Sequence, residues 1–111
     1  MIHGVNSHGG TFGYLADAIA RDNKGLNIYA YDQTNFGHSA GHNRGTIISL
    51  DDTAKEAQRF IAFILDKFQQ KPKVFLCGHS FGGAIAVKLS LMSPQAYAGM
   101  ILLAPYLKDI E

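Results

Sequence analysis

The stretch Lys73-Val74-Phe75-Leu76-Cys77-Gly78-His79-Ser80-Phe81-Gly82-Gly83-Ala84-Ile85-Ala86-Val87 decides the fold. An apolar run of strand length ends at Gly78, and helix-forming residues begin at Phe81. Between them lies Gly78-His79-Ser80-Phe81-Gly82, a G-x-S-x-G pattern. A serine on a sharp strand-to-helix turn stands clear of the sheet, where a base and an oxyanion can reach it. Such a turn strains the serine's backbone and crowds its neighbours, so glycines two before and two after relieve it. The helix start also points free N–H groups at developing negative charge. With twelve glycines in the chain, the bare pattern arises by chance in roughly one such sequence in fifteen, so its context carries the weight. The alternative is a tight turn with an idle serine that cradles phosphate. That version is weaker, because no Walker lysine follows the glycines.

Outward from this turn, segments alternate. Residues 12–23 place Phe12, Leu15, Ala16, Ile19 and Ala20 at helical spacing, with Gly25 as a stop. Leu26 to Tyr31 reads as a short strand. Residues 32–49 form a long polar loop, of the kind that is often functional. A helix is predicted over about 51–70, with Ser49 and Asp52 resembling a capping box and Pro72 closing it off. Lys73 to Cys77 is a strand, Phe81 to Met92 a helix, and Met100 to Ala104 another buried strand closed by Pro105. Strands alternating with helices imply an α/β class with a mostly parallel sheet.

Composition excludes several functions. The 111 residues carry ten basic and nine acidic side chains, for a formal net charge of +1, and no basic run. Nucleic-acid binding therefore has no electrostatic footprint. No metal-ligand spacing is present, and no cofactor is called for. Cys77 is the one cysteine; it reads as a buried strand residue and mildly favours a reduced setting. No run reaches the roughly 18 apolar residues of a membrane span, and the first residues lack a signal peptide's pattern. The expected setting is cytoplasmic, with peripheral membrane contact left open. Oligomeric state is not legible.

Four blocks, spread over nearly the whole chain, make the sequence resemble the monoacylglycerol lipase and lysophospholipase-like branch of the α/β-hydrolases, the serine aminopeptidase-type hydrolases. The first is His3-Gly4-Val5-Asn6-Ser7-His8-Gly9-Gly10, similar to the family's His-Gly oxyanion loop. By that resemblance the N–H groups of Val5 and Phe81 form the oxyanion hole, and His3 and His8 brace the loop. A Gly-rich surface turn is the alternative for this block alone. The second runs from Tyr31 to Gly41 and is extended by Arg44-Gly45. There Asn35 replaces the family's first glycine, and Asn tolerates a left-handed backbone better than most residues. Asp32 and Ser39 look structural. The third is the turn itself, with His79 before Ser80. The fourth, Gly99 to Pro105, resembles the strand that leads into the family's lid.

The resemblance implies a serine hydrolase cleaving an acylglycerol or lysophospholipid-type ester through an acyl-enzyme on Ser80. A peptidase or acyltransferase on the same scaffold is an alternative. Gly4, Gly78, His79 and Gly82 join His3 as the supporting motif. In this family the order is Ser, then Asp or Glu, then His. All five histidines precede Ser80. Asp109 and Glu111 follow it, but lie where the lid would begin and are not assigned. The His-Gly loop normally follows an apolar strand, of which only Met1 and Ile2 are present. The expectation is thus a partial α/β-hydrolase domain over 1–111, lacking the first strands, the lid and the C-terminal third of a parent of about 250–300 residues. A catalytically inactive or binding fragment is the competing reading.

Overall fold

The computed structural model describes residues 1–108; Asp109 and Glu111 lie outside the described residues. A 3-10 turn at Gly9–Phe12 leads into helix α1 (Gly13–Asp22). Helix α2 spans Leu50–Leu65, strand β1 Phe75–His79, helix α3 Phe81–Met92 and strand β2 Gly99–Leu103. β1 and β2 pair in parallel, with Phe75 opposite Gly99 and His79 opposite Leu103. A right-handed β–α–β crossover is the expected way to join two such strands, and α3 supplies its helix. On the other edge of β1, Ile2 forms an isolated parallel bridge to Gly78. Its N–H donates to the Cys77 carbonyl at 2.8 Å, and its carbonyl accepts from the His79 N–H at 3.0 Å.

The core lies where α2 and α3 meet the sheet. Ala54 and Ala57 of α2, and Ile85, Ala86 and Leu89 of α3, are fully buried, with Ile2 and Leu76 beside them. Alanine on both helices lets them approach closely, while Ile85 and Leu89 fill the space. Each such side chain contributes about 1.5–3 kcal/mol by burial. Lys88 of α3 reaches Asp51 of α2 at 2.8 Å; with the Asp51 side chain exposed to screening water, the pair adds little.

Ser49 starts α2 as anticipated. Its Oγ accepts from the Asp52 N–H at 3.0 Å and donates to the Asp52 carboxylate at 2.9 Å. The carboxylate thus engages the hydroxyl, where a full capping box would engage the Ser49 N–H.

Three expectations need correction. Leu26–Tyr31 is not an assigned strand. A strand needs a ladder partner; here Tyr31 packs on the core, and the Met1 amino group donates to the Tyr29 carbonyl at 2.7 Å, but no ladder forms. α2 ends at Leu65, not near residue 70, although Phe68 continues its apolar stripe. β2 is not buried: Met100 and Ile101 are 40% and 52% exposed, because no described residues pair with its outer edge. The stub at Met1–Ile2 sits between the Tyr29 segment and β1.

No helix among the described residues is long and apolar enough to cross a membrane. No group of three potential metal ligands occurs among them either.

Candidate active site

Ser80 stands between β1 and α3 with φ 53° and ψ −119°, a backbone that non-glycine residues rarely adopt. Strain of this kind persists only where the surroundings over-determine it. Here they do. The Ser80 N–H donates to the Leu103 carbonyl at 3.0 Å, and its carbonyl accepts from Gly83 and Tyr106, both at 2.9 Å. The exit from β2 therefore clamps the turn, which gives the Gly99–Pro105 block a physical role.

The flanking glycines are steric necessities. A Cβ on Gly78 would run into the carbonyl of Gly82, and one on Gly82 would run into the backbone carbonyls of Ile2 and His3. The second contact shows that the N-terminal segment packs directly on the turn. Gly4 lies closer still to the reaction centre: a Cβ there would sit 2.9 Å from the Cβ of Ser80 and 3.4 Å from its Oγ. His3-Gly4-Val5 is thereby brought beside Ser80 from the far end of the sequence.

His3 is fully buried, edge-on to the Phe36 ring at 5.6 Å. Its Nε2 accepts from the Gln33 N–H at 3.0 Å, and its Nδ1 faces the Gly4 carbonyl at 2.8 Å. Since a carbonyl can only accept, Nδ1 carries the proton and the ring is neutral. Burial pushes its pKa down, which outweighs the upward pull of the Gly4 carbonyl and of Asp32. The Gln33 side-chain amide also donates to the His3 carbonyl at 2.6 Å.

The loop after Tyr31 supports this arrangement. The Asp32 carboxylate accepts from the N–H of His38 at 2.8 Å and of Gly9 at 2.7 Å. Those two N–H groups, led by that of His38, hold its pKa down. Asn35 has φ 73°, as its place in a glycine position requires, and its side-chain amide donates to the Thr46 carbonyl. The Arg44 guanidinium donates to the carbonyls of Ser39 and Gly37, both at 2.5 Å. Thr34 donates from its N–H and its hydroxyl to the Glu56 carboxylate of α2. The long polar loop is thus closed on itself and anchored to a helix. Gln33 and Glu56 were not singled out from the sequence. Neither carries a motif, and each matters only through a partner distant in the chain.

Around the turn, the described backbone hydrogen bonds engage the N–H groups of Ser80, Gly83 and Tyr106 but not those of Val5 or Phe81. Phe81 opens α3, where the first N–H groups have no partner within the helix. Among the described residues, no histidine hydrogen-bonds Ser80. His79 is exposed at the end of β1, and both ring nitrogens of His3 are engaged. Cys77 is buried in β1 and burial raises its thiol pKa, the opposite of what a nucleophile needs.

The family model described as serine aminopeptidase, S33, matches residues 1–111. The chain belongs to this hydrolase family. It is 32% identical over 109 residues to an uncharacterized abhydrolase domain-containing protein of Dictyostelium discoideum, covering 97% of this chain and 11% of that protein. It is 30% identical over 105 residues to the monoglyceride lipase of Mus musculus, covering 93% of this chain and 33% of the lipase. The crystal structure of a Paleococcus ferrophilus monoacylglycerol lipase superposes with a TM-score of 0.78 at 28% identity, over 94% of this chain and 37% of that one. The fold is that of an α/β-hydrolase, and the lineage is enzymatic. The S33 chain spans about a third of the lipases it matches.

Proposed function

We propose that the 111 residues form the part of an α/β-hydrolase domain that runs from the oxyanion loop to the strand after the nucleophile helix, and that this domain cleaves carboxylic esters through an acyl-enzyme on Ser80. The observation that carries this is the packing of Gly4 against Ser80 at a strained strand-to-helix turn. Nothing structural requires a serine at φ 53°, where glycine would be relaxed. In the reaction, Ser80 Oγ attacks the ester carbonyl and its proton passes to a base. The N–H groups of Val5 and Phe81 hold the resulting oxyanion. Collapse breaks the bond to the alcohol, which leaves with the proton, and water then releases the acid from Ser80. Among the described residues no histidine hydrogen-bonds Ser80, so the base and its orienting acid are not assigned to residues 1–108.

The monoglyceride lipase relatives support an acylglycerol-type ester as the substrate of this chain's parent domain, and a lysophospholipid-type ester is the related class we propose beside it. The family description names an aminopeptidase, so amide substrates are the competing reading within enzymes. We place the protein in the cytoplasm, with peripheral membrane contact left open.

A fluorophosphonate probe is expected to label the intact protein that carries this sequence, and Ser80→Ala to abolish labelling. Undiminished labelling of that variant would remove Ser80 as the nucleophile. The 111 residues alone are expected to turn over monoacylglycerol weakly or not at all. Robust turnover by the pure chain would show that it already holds a base.

A further inference from the structure

We infer that Gln33 is a positioning residue that, through the His3 ring, aims the Val5 N–H at the oxyanion formed on Ser80; this rests on the reading of Ser80 proposed above. The inference follows from one peptide plane. The Gly4 carbonyl and the Val5 N–H belong to the same peptide, and no described peptide bond is cis. In a trans peptide the C=O and N–H point in opposite directions. Whatever fixes the Gly4 carbonyl therefore fixes the Val5 N–H on the other side. The group that fixes it is His3 Nδ1–H, at 2.8 Å.

His3 can donate from Nδ1 as a neutral ring only if Nε2 is bare, and Nε2 stays bare because the Gln33 N–H donates to it at 3.0 Å. The Gln33 side chain, itself 1% exposed, closes the ring of contacts by donating to the His3 carbonyl at 2.6 Å. Gln33 thus selects the tautomer with its backbone and anchors the histidine's own peptide with its amide. The alternative tautomer would set two N–H groups face to face at Gln33 and two acceptors face to face at Gly4. The next residue, Thr34, is tied to Glu56 of α2 by two hydrogen bonds, at 2.8 and 2.7 Å. The chain from the rigid helix to the proposed oxyanion donor is then continuous: Glu56, Thr34, Gln33, His3, Gly4, Val5. Oxyanion donors act by being fixed before reaction, and Val5 itself is 44% exposed.

The test uses phenylboronic acid, which needs no leaving group. A lone pair of Ser80 Oγ forms the O–B bond, the hydroxyl proton leaves to solvent, and boron becomes tetrahedral and anionic. On the intact protein that carries this sequence, we expect NMR to show His3 neutral with the proton on Nδ1, and boronate binding to shift the amides of Val5 and Phe81. Gln33→Met keeps the volume and the backbone donor but removes the amide. It is expected to weaken boronate affinity about tenfold and to diminish the Val5 shift while the Phe81 shift persists. A His3 ring protonated on Nε2, or a Gln33→Met chain that binds boronate with unchanged affinity and an unchanged Val5 shift, overturns the inference. Loss of the Val5 and Phe81 shifts together overturns it as well, since that is what general disruption of the turn would do. Ser80→Ala separates the two readings. If that variant binds boronate as the parent does, or if the parent does not bind at all, the nucleophile assignment fails. The ring tautomer and the Val5 amide of unliganded Gln33→Met then judge the clamp separately.

Discussion

Ser80 and His3 each give up stability for placement, in different ways. Ser80 occupies a left-handed backbone at a cost of about 1–3 kcal/mol. Glycine there would relax that strain, whereas alanine would keep it. Ser80→Gly is therefore expected to unfold at higher urea than Ser80→Ala, by about 1 kcal/mol of stability, part of the relief being offset by the looser unfolded chain. Equal midpoints would mean that the turn is unstrained. His3 is a pH-dependent element. Its folded pKa is pushed below the ordinary 6.5 by burial, so below 6.5 the unfolded chain binds the proton first. Stability is full above that value and falls as the pH drops through 6.5 toward the lowered pKa. Urea midpoints at pH 7.5 and 5 should show this loss, and His3→Asn should flatten the slope. An unchanged slope would assign the acid sensitivity to other groups. The roles of Gly78, Ser80 and Gly82 could be read from the sequence because a strained turn admits few residue types. That of Gln33 could not, because its partner His3 lies 30 residues away in the sequence.

At the level of elements, helices were more legible than strands. α3 begins and ends at the predicted Phe81 and Met92, and α1 departs by one residue at each end. A helix satisfies its own backbone, so local pattern is enough. The Leu26–Tyr31 segment has a strand's composition but depends on a neighbour that only Met1–Ile2 provides. α2 owes its first turn to Ser49, whose Oγ caps Asp52. Ser49→Ala is expected to cost about 1 kcal/mol in urea unfolding. A larger loss follows from Leu89→Ala, because Leu89 is wholly buried between helix and sheet. A cavity there should cost about 2–5 kcal/mol. A cost under 1 kcal/mol would mean that the α2–α3 interface can collapse to fill the gap.

Across the whole molecule, apolar surface is unevenly covered. Phe75, Met100 and Ile101 stand 58%, 40% and 52% exposed along β1 and β2. The outer edge of β2 offers unpaired backbone groups among the described residues. An apolar groove of about 430 Å³ opens between the Leu26–Tyr31 segment, α2 and β1, and Ser80 is not part of its lining. An uncharged, uncovered strand edge is a template for pairing with another chain. The 111 residues alone are expected to associate with increasing concentration in sedimentation experiments. Ile101→Lys should weaken that association about tenfold. Monomeric behaviour of the parent chain at high concentration would show the edge to be protected.

The bridge from Ile2 to Gly78 has one more consequence, for the order in which the parts come together. The turn around Ser80 draws on neighbours: β1, α3 and β2 lie within a short span of chain and can condense early. The His3–Val5 loop must instead close a loop of most of the sequence before it meets Gly82, and closing a long loop costs entropy before any contact repays it. The nucleophile's turn should form first and the anion-binding half should dock on it last, so a folding intermediate would display Ser80 without the donors that make it useful.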